Sequence, residues 1–305
     1  MWPREYAREA LKRGLVYEEK LGTNPFKFGM IGSTDSHTSI ASTEENNFFG
    51  KLSLMEPSAE PHYRFDEIII ARENPDKSNR IYHWQAAVSG LAAVWARENT
   101  RKSLWDSMAR KEVYATTGTR IRVRVFGGWD YSKKDLHRSD FAEYGYKNGV
   151  PMGGDLTAAP KKNAPDFLIR AVRDPDGANL DRIQMVKGWT DKAGNVHEKV
   201  YDVAVSDDRL ANRKGKFPPV GNTVNMDDLS YSNSIGDPVL GAVWTDPDFD
   251  PTQRAFYYVR VIEIPTPSWV AYDLKEFGGD MPDGATKADL ILQERAYTSP
   301  IWYTP

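Results

Sequence analysis

The chain has 305 residues, a formal net charge of −3 and 40% hydrophobic residues, which suits one large or two smaller globular domains. This near-neutral charge balance gives no electrostatic support for nucleic-acid binding. The sequence contains no cysteine, which excludes disulfides, thiolate nucleophiles and cysteine-held zinc or iron–sulfur sites. No apolar run reaches the roughly 18 residues of a transmembrane helix. The polar start, Met1 to Tyr6, predicts no secretory signal.

The first third of the chain is predicted to be α/β. Apolar residues at helical spacing predict a helix over residues 4–21, which Gly22 would end. The apolar run 26–31 predicts a short buried strand. Residues 39–80 are rich in turn formers and charge, which is typical of active-site loops. Two further helices are predicted over residues 83–97 and 101–111.

The rest of the chain has a β pattern. Ile121, Val123 and Val125 alternate with arginines, which predicts a half-buried strand. Short strands separated by Gly, Pro and Asp turns favour a sandwich-like antiparallel domain. We therefore predict an α/β part over residues 1–115 and an antiparallel β domain over 116–305 packed on it. The other strands are predicted over residues 167–172, 183–189, 200–205, 239–245 and 255–264.

The strongest candidate metal motif is Gly32-Ser-Thr-Asp-Ser-His37, directly after the predicted strand 26–31. In extended backbone alternate side chains point the same way, so Asp35 and His37 would converge on one point. A carboxylate and an imidazole suit a divalent ion such as Zn, Mn or Fe. The alternative is a capped turn with a solvent-facing histidine.

A second candidate site is the segment Thr116-Thr-Gly-Thr-Arg120. Its hydroxyls and backbone amides, together with a guanidinium, suit an oxyanion. Thr117, Gly118 and Arg120 are therefore candidate substrate-binding residues. The alternative is a glycine turn that connects two domains.

Two other segments are predicted to be structural. Asp246-Pro-Asp-Phe-Asp-Pro251 carries alternating aspartates but lacks the glycine and glutamate of a calcium loop, so we predict a turn. At the C-terminus, Glu294 and Arg295 are predicted to form an ion pair, and Tyr297, Ile301 and Trp302 to pin the chain end to the body. The alternative is that this tail reaches back to line the α/β site.

Several motifs together resemble the DUF3604 family, a poorly characterised bacterial family related to the PHP metal-dependent phosphoesterases. The order and spacing of these motifs agree nearly end to end. They are Asn24-Pro-Phe-Lys-Phe-Gly29, Gly32-Ser-Thr-Asp-Ser-His37, Val94-Trp-Ala-Arg-Glu-Asn-Thr-Arg101, Glu112-Val-Tyr-Ala-Thr-Thr-Gly118, Gly149-Val-Pro-Met-Gly-Gly154, Val186-Lys-Gly-Trp189, Tyr257-Tyr-Val-Arg-Val261 and Glu294-Arg-Ala-Tyr-Thr-Ser-Pro-Ile-Trp302.

The resemblance implies the C-terminal part of a PHP-like β/α barrel with a cluster of divalent metal ions (Zn, Mn or Fe). Asp35 and His37 match the last ligand motif of PHP proteins, whose first ligands form a His-x-His. No histidine precedes His37, so we expect an incomplete ligand set and a C-terminal fragment of a larger protein. The implied reaction is hydrolysis of a phosphoester or another small molecule by a metal-activated water, with little activity in this chain alone.

The resemblance also bears on the compartment, since family members are often exported. It implies a periplasmic or secreted protein. The alternative function, from a different class, is a non-catalytic β-rich module that binds a partner or braces the barrel.

Overall fold

Two β-sheets packed face to face form the centre of the fold. The computed structural model describes residues 6–33, 35–52, 58–71, 80–157, 159–160 and 163–305. The helices of this part of the chain are α1 (Ala7–Leu21), α2 (Arg101–Ala109), α3 (Phe141–Asn148) and α4 (Trp269–Phe277). Single turns of tighter or wider helix occur at Glu45–Asn47, His62–Asp66, His83–Gln85, Lys133–His137 and Lys287–Leu290.

The strands are numbered in chain order. They are β1 (Ile68–Ala71), β2 (Arg80–Tyr82), β3 (Leu91–Val94), β4 (Val113–Thr116), β5 (Arg122–Gly128), β6 (Gly149–Pro151), β7 (Asp155–Thr157), β8 (Asp166–Val172), β9 (Leu180–Thr190), β10 (Val196–Val205), β11 (Val239–Thr245), β12 (Ala255–Glu263), β13 (Thr266–Pro267), β14 (Ile291–Leu292), β15 (Arg295–Thr298) and β16 (Ile301–Thr304).

The larger sheet has eight strands, with β10-β9-β12-β15-β4-β3 in order and β16 joining β12 to β7. Its pairs are antiparallel except for β16 with β7. The smaller sheet has four antiparallel strands in the order β11-β8-β5-β6. Two separate pairs, β1 with β2 and β13 with β14, and isolated bridges such as that of His37 with Leu52 complete the pairing of the described residues.

The larger sheet is buried on both faces where β9 and β12 cross its centre. Side chains alternate along a strand, so Tyr257 faces the core between the two sheets whereas Phe256 and Tyr258 face α1. Leu11 and Leu15 of α1 are fully buried against this outer face. Burial on both faces explains why β12 is nearly continuously apolar rather than alternating.

The structure confirms the predicted helices α1 and α2 and the predicted strands within residues 113–264, with shifts of a few residues at their ends. Gly22 ends α1 in the left-handed conformation, with φ +74°. The Thr100 hydroxyl caps α2 by accepting a hydrogen bond from the Ser103 amide at 3.3 Å. The β strands and the helices together confirm a sheet-rich mixed α/β chain.

Two of the predicted elements are wrong. Residues 83–97 form one helical turn and then β3, because a backbone that pairs Leu91 with Thr116 of β4 is extended. Residues 26–31 form no strand and are mostly half-buried. The Met30 amide bonds the Ser299 hydroxyl at 2.9 Å instead of a neighbouring strand, so this segment is anchored by a side chain rather than by a ladder.

The described residues form no closed barrel, so the PHP-like barrel stays a prediction. The predicted domain boundary after residue 115 falls inside β4, a strand of the eight-stranded sheet. The residues before this boundary therefore contribute two strands, β3 and β4, to the sheet that the predicted β domain builds. Whether the two parts fold separately stays a prediction as well.

We predict that α1 stabilises the protein mainly through its buried leucines. Leu15→Ala removes a fully buried side chain and should lower the free energy of unfolding by about 2–5 kcal/mol. Leu21→Ala, at a leucine that is 68% exposed in the same helix, is the control and should change it by about 0.5 kcal/mol or less. Urea denaturation measures both. Equal effects would contradict the proposed docking of α1.

Candidate functional site

Asp35 and His37 lie side by side on the surface. The Asp35 Oδ1 and His37 Nε2 atoms are 3.7 Å apart, and the side chains are 75% and 62% exposed. The backbone is not extended as the sequence predicted, since Asp35 has φ +45°. Aspartate tolerates this left-handed conformation better than most residues, at a cost in strain that is common at functional sites. The two side chains therefore converge through a strained turn.

Hydrogen bonds to buried groups fix this turn in place. The His37 amide donates to the Lys51 carbonyl at 2.8 Å, and the Lys51 amide donates to Nε2 of His83 at 3.3 Å. His83 is fully buried, and burial lowers its pKa, so the ring is neutral at pH 7. With Nε2 accepting, the proton lies on Nδ1, which donates to the Tyr63 carbonyl at 3.1 Å. A buried neutral histidine thus positions the candidate metal ligand through Lys51.

Glycines let three backbone segments touch beside the turn. A Cβ on Gly32 would lie 2.6 Å from the carbonyl oxygens of Leu91 and Thr116, and one on Gly118 would lie 2.1 Å from the Thr43 carbonyl. Gly118 also has φ +139°, which side-chain-bearing residues rarely adopt. Close backbone contact therefore holds the Asp35–His37 turn against β3 and β4, and the Thr117–Arg120 segment against the loop that carries Thr43.

The Asp35 and His37 pair fits part of a metal site. Donor atoms that each lie about 2.0–2.2 Å from an ion can be up to about 4.4 Å apart, and the observed 3.7 Å is within this limit. Lys51 Nζ lies 3.8 Å from Asp35 Oδ2. Across the described ranges, however, no group of three or more His, Asp or Glu side chains is placed to hold a metal ion. The distance between the two donor atoms permits a shared ion, and metal binding by this pair stays a prediction.

The predicted substrate-binding residues lie around a separate cavity of about 180 Å³. Gly118 and Arg120 line it, while the Thr117 hydroxyl donates to Glu294, which lines it as well. The Arg120 guanidinium bonds Asp174 at 3.1 Å and Asp176 at 3.0 Å. The predicted oxyanion role is not tested, but the surroundings of this arginine are acidic.

Three glutamates from distant parts of the sequence line this cavity, and sequence reasoning missed two of them. Glu45 accepts a hydrogen bond from the Trp269 amide, and Glu263 accepts one from the Thr119 hydroxyl at 2.6 Å. Glu294 bonds the Thr117 hydroxyl rather than forming the predicted ion pair with Arg295. The available signal was Glu263 itself, a single carboxylate in the apolar run of β12.

Burial raises the pKa of all three carboxyl groups. It raises the pKa of Glu263 to about 8 and that of Glu294 to about 7, and hydrogen bonds from Thr119 and Thr117 oppose the shift. Burial and repulsion from Glu294 raise the pKa of Glu45 to about 8. Perturbed carboxyl groups that share a cavity mark a candidate functional site.

The segments predicted to be structural are bonded into the body of the protein. Asp246 forms a buried salt bridge with Lys187 at 2.6 Å, and Asp248 bonds Lys199 at 2.5 Å. The tail is pinned as predicted, because Ile301 and Trp302 are buried in β16.

A family described as "Protein of unknown function (DUF3604)" matches residues 1–305. The chain belongs to the DUF3604 family. No curated protein and no solved structure matches it. The relationship to PHP phosphoesterases, which the sequence motifs imply, therefore stays a proposal.

None of the helices in the described residues combines the length and the apolar character needed to cross a bilayer.

We predict that Gly118 cannot be replaced without loss of stability. Gly118→Ala would add both backbone strain and a clash with the Thr43 carbonyl, and should destabilise by roughly 2–5 kcal/mol. Gly194→Ala is the matched control, because Gly194 has φ +78° but no atom within 4 Å of its Cβ position; it should cost about 1 kcal/mol. Denaturant midpoints compare the two variants, and similar losses would contradict the close contact.

We also predict that the buried glutamates make the protein less stable at alkaline pH. The pKa of Glu263 is raised from 4.5 to about 8 in the folded state, so the folded state holds this proton more tightly than the unfolded state. Its contribution is complete below about pH 4.5 and is lost as the pH rises towards 8. Glu263→Gln should flatten the fall in unfolding free energy between pH 5 and 8, by at most roughly 1.4 kcal/mol per pH unit.

Denaturation at several pH values tests this expectation. Glu143→Gln, at an exposed glutamate of α3, is the control and should retain the wild-type pH dependence. A Glu263→Gln variant with the same pH dependence as the wild type would show that Glu263 titrates normally.

Proposed function

We propose that this chain is part of a metal-dependent hydrolase of the phosphoesterase type, and that Asp35 and His37 are two ligands of a divalent ion. The observation that carries the proposal is the 3.7 Å separation of their donor atoms on an exposed turn. The strained φ of Asp35 supports it, because the surrounding structure must hold such a conformation in place. The membership of DUF3604 names no activity and so does not add to it.

The residues of this chain have defined roles in the proposal. Asp35 and His37 bind the ion, and the hydrogen bonds through Lys51 to His83 orient His37. The Lys51 ammonium, whose side chain is 14% exposed, adds a positive charge beside Asp35 that can attract an anionic ester. A divalent ion in such a site polarises an ester oxygen and promotes the ionisation of water.

A catalytic zinc usually has three protein ligands, and the third is not among the described residues. We therefore expect weak metal binding and slow hydrolysis by this chain. The prediction that the remaining ligands precede it is not tested.

A second candidate function, a non-catalytic bracing module, is favoured by one observation. The segment that carries Asp35 and His37 is bonded directly to the sheet, since the Gly32 amide donates to the Leu91 carbonyl of β3 at 3.1 Å. A sheet that holds the metal-binding turn in this way could brace it without taking part in the reaction.

Metal analysis distinguishes the two functions. We predict that the purified chain, dialysed against Zn²⁺ or Mn²⁺, retains metal that the double variant Asp35→Ala/His37→Ala loses. The matched control is Asp191→Ala/His197→Ala, which removes another surface Asp–His pair, 2.8 Å apart in a β-hairpin. It should retain the metal of the wild type.

The remaining outcomes are equally informative. Equal metal loss in both double variants would indicate nonspecific binding to surface pairs. No metal in the wild-type chain would reject the metal site in this chain and favour the bracing function. Rapid hydrolysis of p-nitrophenyl phosphate by the Asp35→Ala/His37→Ala variant would reject the proposed role of the pair.

A further inference from the structure

We propose that the cleft between β10 and the loop of residues 211–217 binds an acidic oligosaccharide, a short sugar chain that carries carboxylate or sulfate groups. The cleft measures about 550 Å³ and opens to solvent, a size typical of ligand sites. Strand β10 is the end strand of the eight-stranded sheet, and within the described residues it pairs on one side only, with β9. The cleft shares no lining residue with the Asp35–His37 turn.

The charge of the cleft is opposite in sign to that of the whole chain, which is −3. Four cations line it against one carboxylate, Asp202; they are Arg182, Lys199, Lys214 and Lys216. Arg182 and Lys199 are already paired with carboxylates, at 3.2 Å and 2.5 Å. Lys214 and Lys216 form no salt bridge with any residue that the structure describes. Two ammonium groups in the cleft therefore remain available for an anionic ligand.

The loop that carries these two lysines is held in one conformation by its own hydrogen bonds. At its tip, the Asn212 Oδ1 atom accepts from the amides of Lys214 and Lys216, at 2.9 and 3.1 Å. At its base, the Arg209 guanidinium donates to the Pro218 carbonyl at 2.9 Å. A backbone that is ordered before binding loses little conformational entropy when a ligand arrives, so this arrangement favours recognition.

Aromatic side chains add apolar surface beside the charges. Tyr201, Phe217 and Trp244 line the same cleft. The rings of Tyr201 and Trp244 pack against each other with their centroids 4.9 Å apart, which fixes the orientation of both. The negative face of an aromatic ring attracts C–H groups such as those of a sugar ring. Asp202 can accept hydrogen bonds from sugar hydroxyls.

This combination favours an acidic sugar over the other anions that a basic cleft could take. An inorganic anion would engage the lysines and make no use of the aromatic rings. A nucleic acid strand brings one phosphate with every base, to which two available cations and a carboxylate are a poor complement. An acidic peptide brings charge but no saturated ring. An acidic sugar offers an anionic group to the lysines, ring faces to the aromatic residues and hydroxyls to Asp202.

Calorimetric titration of a heparin tetrasaccharide, which carries both carboxylate and sulfate groups, into the 305-residue chain tests the proposal. We expect saturable binding of one molecule per chain at low salt in the presence of EDTA. Cellotetraose, which has four sugar rings and no charge, should not bind. Lys214→Gln/Lys216→Gln should weaken binding at least roughly tenfold, because it removes both available cations. Phe217→Ala should weaken it roughly threefold, because it removes one aromatic face.

Matched controls separate this site from general charge effects and from the proposed metal site. Lys133→Gln/Lys134→Gln removes two other exposed lysines and should leave the affinity unchanged. Asp35→Ala/His37→Ala should also bind the tetrasaccharide normally, so that failure of the metal site and failure of this cleft are distinguishable. Circular dichroism shows whether each variant is folded, and the exposed lysine pair of the loop carries the test if Phe217→Ala is not.

Several outcomes would overturn the proposal. They are failure of the tetrasaccharide to saturate, equal binding of cellotetraose, unchanged affinity of the Lys214→Gln/Lys216→Gln variant, and equal weakening by the control lysine pair. Binding of hexaglutamate or of a thymidine hexanucleotide as tight as that of the tetrasaccharide would assign the cleft to an acidic peptide or to a nucleic acid instead.

Discussion

The position of β15 in the middle of the eight-stranded sheet is the constraint on which the remaining structure depends. Four residues near the C-terminus, Arg295–Thr298, pair with β12 on one side and with β4 on the other. The next residue, Ser299, is fully buried; its hydroxyl accepts from the Met30 amide and donates to the Val113 carbonyl at 2.6 Å. Without β15, β4 and β3 would lose their connection to the sheet, and the Asp35–His37 turn would lose the surface that holds it.

The parts of the fold that local sequence determines were predictable. α1 and α2 show apolar residues at helical spacing, and a glycine ends α1 whereas a threonine caps α2. Turns rich in Gly, Pro and Asp separate the β strands. The structure of residues 83–97 was not predictable, because its apolar residues fit a helix as well as a strand. The pairing of β3 with β4, which are separated in the sequence, decides that part of this region is extended. Tertiary pairing outweighs helical propensity there.

The two candidate sites differ in the same way, since one depends on neighbouring residues and the other on contacts between distant ones. Asp35 and His37 are close in sequence, so their convergence could be predicted from spacing, although through the wrong backbone conformation. The cavity glutamates are separated by as many as 249 positions, from Glu45 to Glu294. They meet because β15 pairs with β12 and because Glu45 bonds the Trp269 amide. A pattern within a short window cannot reveal them. The strand signal that was available, a carboxylate in the apolar run of β12, has meaning only once the neighbours of Glu263 are known.

The three cavity glutamates are poorly explained by stability alone. Each buried carboxyl must either lose its charge, as the raised pKa values of about 7 and 8 show for Glu294 and Glu263, or remain charged without a cation beside it. Glutamine at these positions could keep the hydrogen bonds from Thr117 and Thr119 without this cost.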